Sequence, residues 1–415
     1  MSPQVGPEVG PEVGPEVGPG ATARGGGARV GPADVLAPAD VPARAVAGAL
    51  ADVLPAAAAA LGAPQRPVDV SLPPAARVCV LLVDGLGDRL LAAAGRSAGS
   101  LGELRRDGLV LRAGHPSTTA TSMGSFGTGL LPGAHGLVGY EVLDPSRGRL
   151  LNELAWDPAV DPRAWQPSPT VFEHLVAAGV ACTQVGPPHF AGSGLTEAAL
   201  RGPRYVAARS LQERVDAAAS AIRRDPRALV YVYWGDLDKT GHESGWQSDA
   251  WDRELADVDL AVRQLARRMP SDALLLVTAD HGMVDVPSGG ARLDLAEDRE
   301  LALGVPLSGG EPRAPMLYCA PGEVEAVLAR WRARLGPRAE VLSRDGAVAA
   351  GWFGPVAPHV LPRIGDVVVS CAPGTSVHDS RTQRPQLKGL VGMHGGRTDD
   401  EVHVPLLVVA GARTG

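Results

Sequence analysis

The chain has 415 residues, 45% of them hydrophobic, and a formal charge of −7. That length allows a large core and more than one domain-sized unit, while the acidic balance, with no clustered basic face, excludes polymeric DNA or RNA as an expected partner. No basic-then-apolar leader opens the sequence and no apolar run approaches the ~20 residues of a membrane helix, so a cytoplasmic protein with no membrane partner is expected.

Residues 3 to 18 read Pro-Gln-Val-Gly and then Pro-Glu-Val-Gly three times, followed by a Gly-rich stretch to Gly27. Glycine and proline at that density oppose helix and strand alike, so residues 1–38 are expected to form a disordered tail. The Ala-rich segment Val41 to Leu61 reads as the first helix. From Arg77 onward short β-branched runs at 77–83, 109–113, 180–185, 228–234, 273–278, 366–371 and 404–410 alternate with helical stretches at 88–94, 119–129, 169–178, 209–224 and 248–268. Strands apolar on both faces and separated by helices predict an α/β fold, a mainly parallel central sheet flanked by helices.

The alternation breaks from about Val286 to Leu390, where Gly/Pro-rich loops surround one helix at 322–334. Residues 286–390 are therefore expected to form an inserted cap subdomain, and 39–285 plus 391–415 the catalytic core. Arg292, Arg313 and Lys388 are the cap's candidate anion contacts. Cys79, Cys182, Cys319 and Cys371 stand singly with no CxxC spacing, which reads as free thiols in a reducing compartment rather than a thiolate metal site.

In such sheets ligands gather beyond the carboxyl ends of the strands. Asp84, Asp238 and Asp280 each follow an apolar strand candidate within a few residues, so the sheet would carry them to one edge. Asp280-His281-Gly282 can offer a carboxylate and an imidazole to one cation, with Gly282 permitting a tight turn. Alone, that tripeptide fits a surface turn equally well. Asp238 and His242, four apart, would share a helical face, although Gly241 and Gly245 favour a loop, and Asp236 competes with Asp238. Asp84 could equally cap the next helix. His394 sits in a glycine-rich loop. His115, Ser117, Thr118, Thr119, Thr121 and Ser122 crowd the turn between a strand and the 119–129 helix, whose N-terminus suits a phosphate. This segment holds no GxSxG elbow that would activate its hydroxyl by a general base. A bound divalent cation would do so instead.

The order Pro-Ser-Thr-Thr at 116–119, Thr128-Gly129-Leu130 and Pro132-Gly133-Ala134-His135-Gly136, with Asp-x-x-Gly-His at 238–242, resembles the alkaline phosphatase superfamily and its nucleotide pyrophosphatase/phosphodiesterase branch over roughly residues 77 to 411. The resemblance implies an alkaline phosphatase-like fold and a hydrolase that attacks phosphodiester or pyrophosphate bonds of small nucleotide-type substrates. It implies Thr119 as the nucleophile, with a covalent phospho-threonine intermediate. Two divalent metal ions follow from it, zinc first, with manganese or iron acceptable to the same donors. Asp238, His242 and His394 would hold one; Asp84, Asp280, His281 and the Thr119 oxygen would hold the other. Only Asp238, not Asp236, satisfies the pattern.

Where the branch usually continues with an aromatic, a proline and an asparagine that binds a phosphoryl oxygen, this chain has Ala120, Thr121 and Ser122. Ser122 is the candidate substitute donor to substrate. Lys239 adds a charge that the usual pattern lacks, His135 reads as structural, and His115 ranks below the ligands. Competing readings are a phosphonoacetate hydrolase, a phosphate monoesterase, and a non-enzymatic, metal-dependent binding module.

Overall fold

The computed structural model describes residues 41, 44–383 and 385–411. The expected tail at 1–38 lies outside the described residues. The described residues fall within one compact unit, Val35–Gly415.

An eight-stranded sheet forms the centre. Across it run Val46–Ala49, Leu109–Arg112, His403–Ala410, Ala273–Thr278, Arg77–Val83, Ala228–Trp234, Ala181–Gly186 and Arg204–Ala207. All neighbours are parallel except His403–Ala410, which pairs antiparallel on both sides. The expected mainly parallel α/β architecture is therefore the one observed. Its three middle strands read Arg-Val-Cys-Val-Leu-Leu-Val, Ala-Leu-Val-Tyr-Val-Tyr-Trp and Ala-Leu-Leu-Leu-Val-Thr, almost wholly buried. Such runs are stable only where helices cover both faces.

Helix Asp249–Arg268 shows how that cover is built. Trp251, Leu255, Val258, Val262 and Leu265, spaced three or four apart, are its buried stripe, as an amphipathic helix requires. Ser248 caps it by accepting from the Trp251 N–H at 3.2 Å. No helix among the described residues is long and apolar enough to cross a membrane.

The single helix expected over Val41 to Leu61 is instead a strand, Val46–Ala49, then a short 3₁₀ turn and a helix limited to Val53–Ala60. Pairing with Leu109–Arg112 at the sheet edge outweighs alanine's helix propensity. At Gly48 a Cβ would lie 2.9 Å from Asp52 Oδ2 and 3.0 Å from Val70, so the bend needs glycine.

Between Val284 and Met393 the chain builds a four-stranded antiparallel sheet in the order Leu307–Glu311, Ala314–Tyr318, Val367–Cys371, Ala339–Ser343. Helix Val324–Leu335 covers it, and Leu317, Val327, Trp331, Val341, Val367 and Val369 form a hydrophobic cluster separate from the main core. Arg313, Arg292 and Lys388, expected as anion contacts, are engaged elsewhere. Arg313 is fully buried against Glu401 at 2.6 and 2.8 Å. Arg292 donates to backbone carbonyls of Lys388 and Leu390, each at 2.7 Å. Lys388 pairs with Asp294. All four cysteines are free thiols.

Candidate active site

Parallel register brings three strand ends to one level. Arg77–Val83 ends at Asp84, whose N–H donates to the Trp234 carbonyl at 2.8 Å. Ala228–Trp234 leads into helix Asp236–Ser244, and Ala273–Thr278 into Asp280-His281-Gly282. The loop expected around Gly241 is thus a helix. A Cβ at Gly241 would lie 2.3 Å from Met283 Sδ, so this glycine serves close packing rather than helix breaking, while Gly245, at φ +86°, ends the helix. Gly85, at φ +75°, lets its turn approach Asp238: a Cβ there would meet the Asp238 Cβ at 3.0 Å.

Two groups of donors converge. Asp238, His242 and His394 bring ligand-capable atoms within 4.8 Å of one another, and so do Asp84, Asp280 and His281. His242 Nε2 lies 3.1 Å from Asp238 Oδ2, and His281 Nε2 lies 3.4 Å from Asp84 Oδ1 and 3.5 Å from Asp280 Oδ2. The groups adjoin, since the rings of His281 and His394 stack with centroids 3.7 Å apart. Asp236 is exposed and outside both groups, as is Lys239.

Each histidine is oriented by a carbonyl. Nδ1 of His242 faces the Gly392 oxygen at 2.8 Å, Nδ1 of His394 the Ser117 oxygen at 2.9 Å, and Nδ1 of His281 the Gly282 oxygen at 3.1 Å. Because a carbonyl only accepts, that pattern places a proton on each Nδ1 and leaves Nε2 as the atom free to serve a cation, the arrangement metal-ligating histidines adopt.

Thr119 is the first residue of helix Thr119–Thr128, after an extended Thr118. Its Oγ1 lies 3.4 Å from Asp84 Oδ2 and 3.3 Å from His281 Nε2. The first-turn N–H groups of a helix have no partner within it, and this helix begins at Thr119 itself. Ser122 is elsewhere: it is fully buried and its Oγ donates to the Asp280 carbonyl at 2.8 Å. With that proton committed one turn inside the helix, Ser122 anchors the Asp280 segment and is not placed to donate to substrate, contrary to expectation. His135 is buried between Ser125 Oγ and the Leu137 N–H, a structural position.

The electrostatics call for cations. Burial, then the charges of Asp280 and Asp238, holds the Asp84 carboxyl well above the usual carboxylate range. Burial, with Asp238 next, pushes Asp280 up to about 7. For Asp238 burial also opposes ionisation, but the adjacent His242 outweighs it and holds the group below its ordinary range. Burial lowers His242, yet Asp238 prevails and raises it to about 9. Asp84 Oδ1, Asp238 Oδ1 and Asp280 Oδ2 are buried without a hydrogen-bond partner. Three carboxylates with orphaned oxygens in a water-poor site are costly unless positive charge joins them. Two divalent cations on these oxygen and imidazole donors fit the residues present.

Sequence reasoning missed three residues, Tyr231, Tyr233 and Glu311. Tyr233 Oη donates to Asp84 Oδ2 at 2.5 Å. Tyr231 and Tyr233, alternate residues on one strand face, also line a pocket of about 240 Å³ beside Thr119, together with Phe190, Leu195 and Gln184. The Tyr-Val-Tyr alternation was the available signal. Glu311, from the antiparallel sheet, reaches the opposite side of Thr118; burial pushes its carboxyl up to about 7 and its Oε1 has no partner. No local sequence pattern marks it.

Fold and site together define an α/β protein with paired acid–histidine clusters at the carboxyl edge of a parallel sheet, next to a hydroxyl at a helix N-terminus. The chain belongs to the type I phosphodiesterase / nucleotide pyrophosphatase family, whose sequence pattern matches residues 78–397, and with it to the alkaline phosphatase superfamily of metallo-hydrolases. No curated protein sequence matches it. Among solved structures it is similar to murine ectonucleotide pyrophosphatase/phosphodiesterase 5, with TM-score 0.64, 18% identity, and coverage of 79% of this chain and 87% of that one. An inactive form of that protein in complex with AMP gives TM-score 0.62 at the same identity and coverage. Phosphonoacetate hydrolase from Sinorhizobium meliloti 1021, in complex with phosphonoacetate, gives TM-score 0.61 at 18% identity, covering 81% and 90%.

Proposed function

We propose that this chain is a two-metal hydrolase of phosphodiester or pyrophosphate bonds in small nucleotide-type substrates, with Thr119 as nucleophile. One observation carries the reading: Thr119 Oγ1 stands against Asp84 and His281 at a helix N-terminus, on the rim of a largely apolar pocket. Asp238, His242 and His394 would hold one cation and Asp84, Asp280 and His281 the other. Zinc suits these donors, and manganese or iron would be accepted by the same set. Bound cations supply the positive charge that makes a hydroxyl acidic and neutralises phosphoryl oxygens.

The chain's own residues do the rest. Thr119 Oγ1 attacks phosphorus as the bond to the leaving oxygen breaks, and water later cleaves the threonine ester. The N–H groups at the start of the helix face the phosphoryl oxygens, taking part of the role that the missing asparagine has in the usual pattern. Tyr233 holds Asp84 in one orientation. The pocket lined by Tyr231, Tyr233, Phe190 and Leu195 accepts the organic group of the substrate.

That pocket bears on the competing readings. Its lining includes no arginine or lysine among the described residues, which supports an aromatic or other organic ester group over the carboxylate of phosphonoacetate. Rates on a bis-aryl phosphodiester, an aryl phosphomonoester and phosphonoacetate at matched concentration test the choice, with the diester expected to be fastest. Phosphonoacetate turned over fastest would reverse it. Fewer than two bound divalent ions per chain with no turnover of any of the three would leave the binding-module reading.

A further inference from the structure

On the far side of the His115-to-Thr119 turn lies a separate cavity of about 190 Å³, lined by Arg112, His115, Trp352 and Arg397 among others. Its lining includes no carboxylate among the described residues. Arg112 forms no ion pair there, and Arg397 has one partner, Glu340 at 3.2 Å, which does not line the cavity. Two guanidinium groups, one exposed and one half-buried, thus line one half-open cavity, where their charges oppose each other unless an anion joins them.

The other walls are equally unsatisfied. His115 is 4% exposed, and neither ring nitrogen makes a well-formed hydrogen bond, the Gly396 carbonyl being the one acceptor near the ring. The nearby Gly396 carbonyl already accepts the Ser117 hydroxyl at 2.8 Å. Burial, then Arg397 and Arg112, keeps the His115 pKa well below its ordinary value, so the ring stands neutral with one N–H to donate. The buried Nε1 of Trp352 also lacks a partner, while Arg397 stacks on that ring at 4.4 Å. Buried polar groups are normally paired, and orphans clustered on one cavity wall point to a ligand.

We infer that this cavity is a second ligand site, taking a small tetrahedral oxyanion such as inorganic phosphate between Arg112, Arg397 and His115. At roughly 30 Å³ per water, the cavity has space for about six waters, which an oxyanion and a few waters would fill. Charge-assisted bonds from paired guanidinium groups are the usual means of holding such an ion. The site is braced to the proposed active site. Ser117 pairs with Gly395 and its carbonyl orients His394, so both walls of the cavity continue into the segments that carry Thr119 and His394.

The inference does not depend on the reaction proposed above. Inorganic phosphate is titrated calorimetrically into the full-length chain with its metal content unaltered, and soaked into its crystals. Phosphate density between Arg112, Arg397 and His115 is expected, with a saturable binding component that Arg112→Ala, a change at an exposed side chain, weakens about tenfold or more. Arg397→Gln should weaken the same component, and melting curves check that both variants fold. Phosphate at the acid–histidine clusters alone, no saturable component, or titrations of both variants that match the wild type would overturn the assignment.

Discussion

Asp280→Asn should change the sign of its effect on stability according to whether cations are present. Asp280 is fully buried and its Oδ1 accepts from the N–H groups of Gly85 at 3.2 Å and His281 at 3.0 Å, bonds that an asparagine oxygen keeps. Its Oδ2 has no partner. In the metal-free chain burial and Asp238 raise its pKa from 3.8 to about 7. The folded state therefore binds more protons than the unfolded one between those values, and stability falls as pH rises through that window. At about 1.4 kcal/mol per unit the full shift is roughly 4 kcal/mol; shared among three coupled carboxylates, about 2 kcal/mol is the working magnitude. Urea unfolding of chelator-treated protein at pH 5 and pH 8 is the assay. Wild type should lose stability between the two, and Asp280→Asn should be the more stable protein at pH 8. With divalent ions restored the order should reverse, because the variant lacks one anionic ligand. A metal-free variant less stable than wild type at pH 8 would refute the reasoning, since it would mean that the protein alone satisfies this carboxylate.

Thr119→Ala should lower turnover of the bis-aryl diester by roughly a thousandfold or more while leaving two metal ions per chain by elemental analysis; retained activity would point to direct attack by water. Gly85→Ala places a Cβ 3.0 Å from that of Asp238 at a positive φ, so a loss of about 1–3 kcal/mol in urea unfolding and weaker metal retention are expected. Glu153 is buried, accepting from Trp165 Nε1 at 2.7 Å, and burial raises its pKa to about 8. Stability should therefore fall between about pH 4.5 and 8 on its account, and Glu153→Gln should flatten that part of the profile. Wild type and variant falling in parallel would show that Glu153 does not titrate as the fold predicts.

The central sheet was legible because its strands are apolar on both faces, a pattern that few other structures produce. Asp84 and Asp280 could be placed at its edge from strand ends alone, and Asp238 approximately so. The geometry at His242 was not legible, since Gly241 signals a break locally but is required by Met283, a contact 42 positions away. The first strand was hidden for a similar reason: alanines favour helix, and only pairing with Leu109–Arg112 overrules them. Ser122 carried the right functional group at a plausible offset, but the helix turns it toward the Asp280 carbonyl. Glu311 approaches Thr118 from another sheet, a relation that no spacing along the chain encodes.

The antiparallel strand His403–Ala410 lies between Leu109–Arg112 and Ala273–Thr278, and this order has a consequence for biosynthesis. Until the ribosome has delivered residues 403–410, those two strands have bare edges, and the sheet remains in two parts. His394 arrives only just before them. The edge of Leu109–Arg112 must therefore stay open through most of translation, and that of Ala273–Thr278 through about its last third, a state prone to aggregation. Under the proposed assignment, the two groups of cation donors are complete only after His394 has emerged.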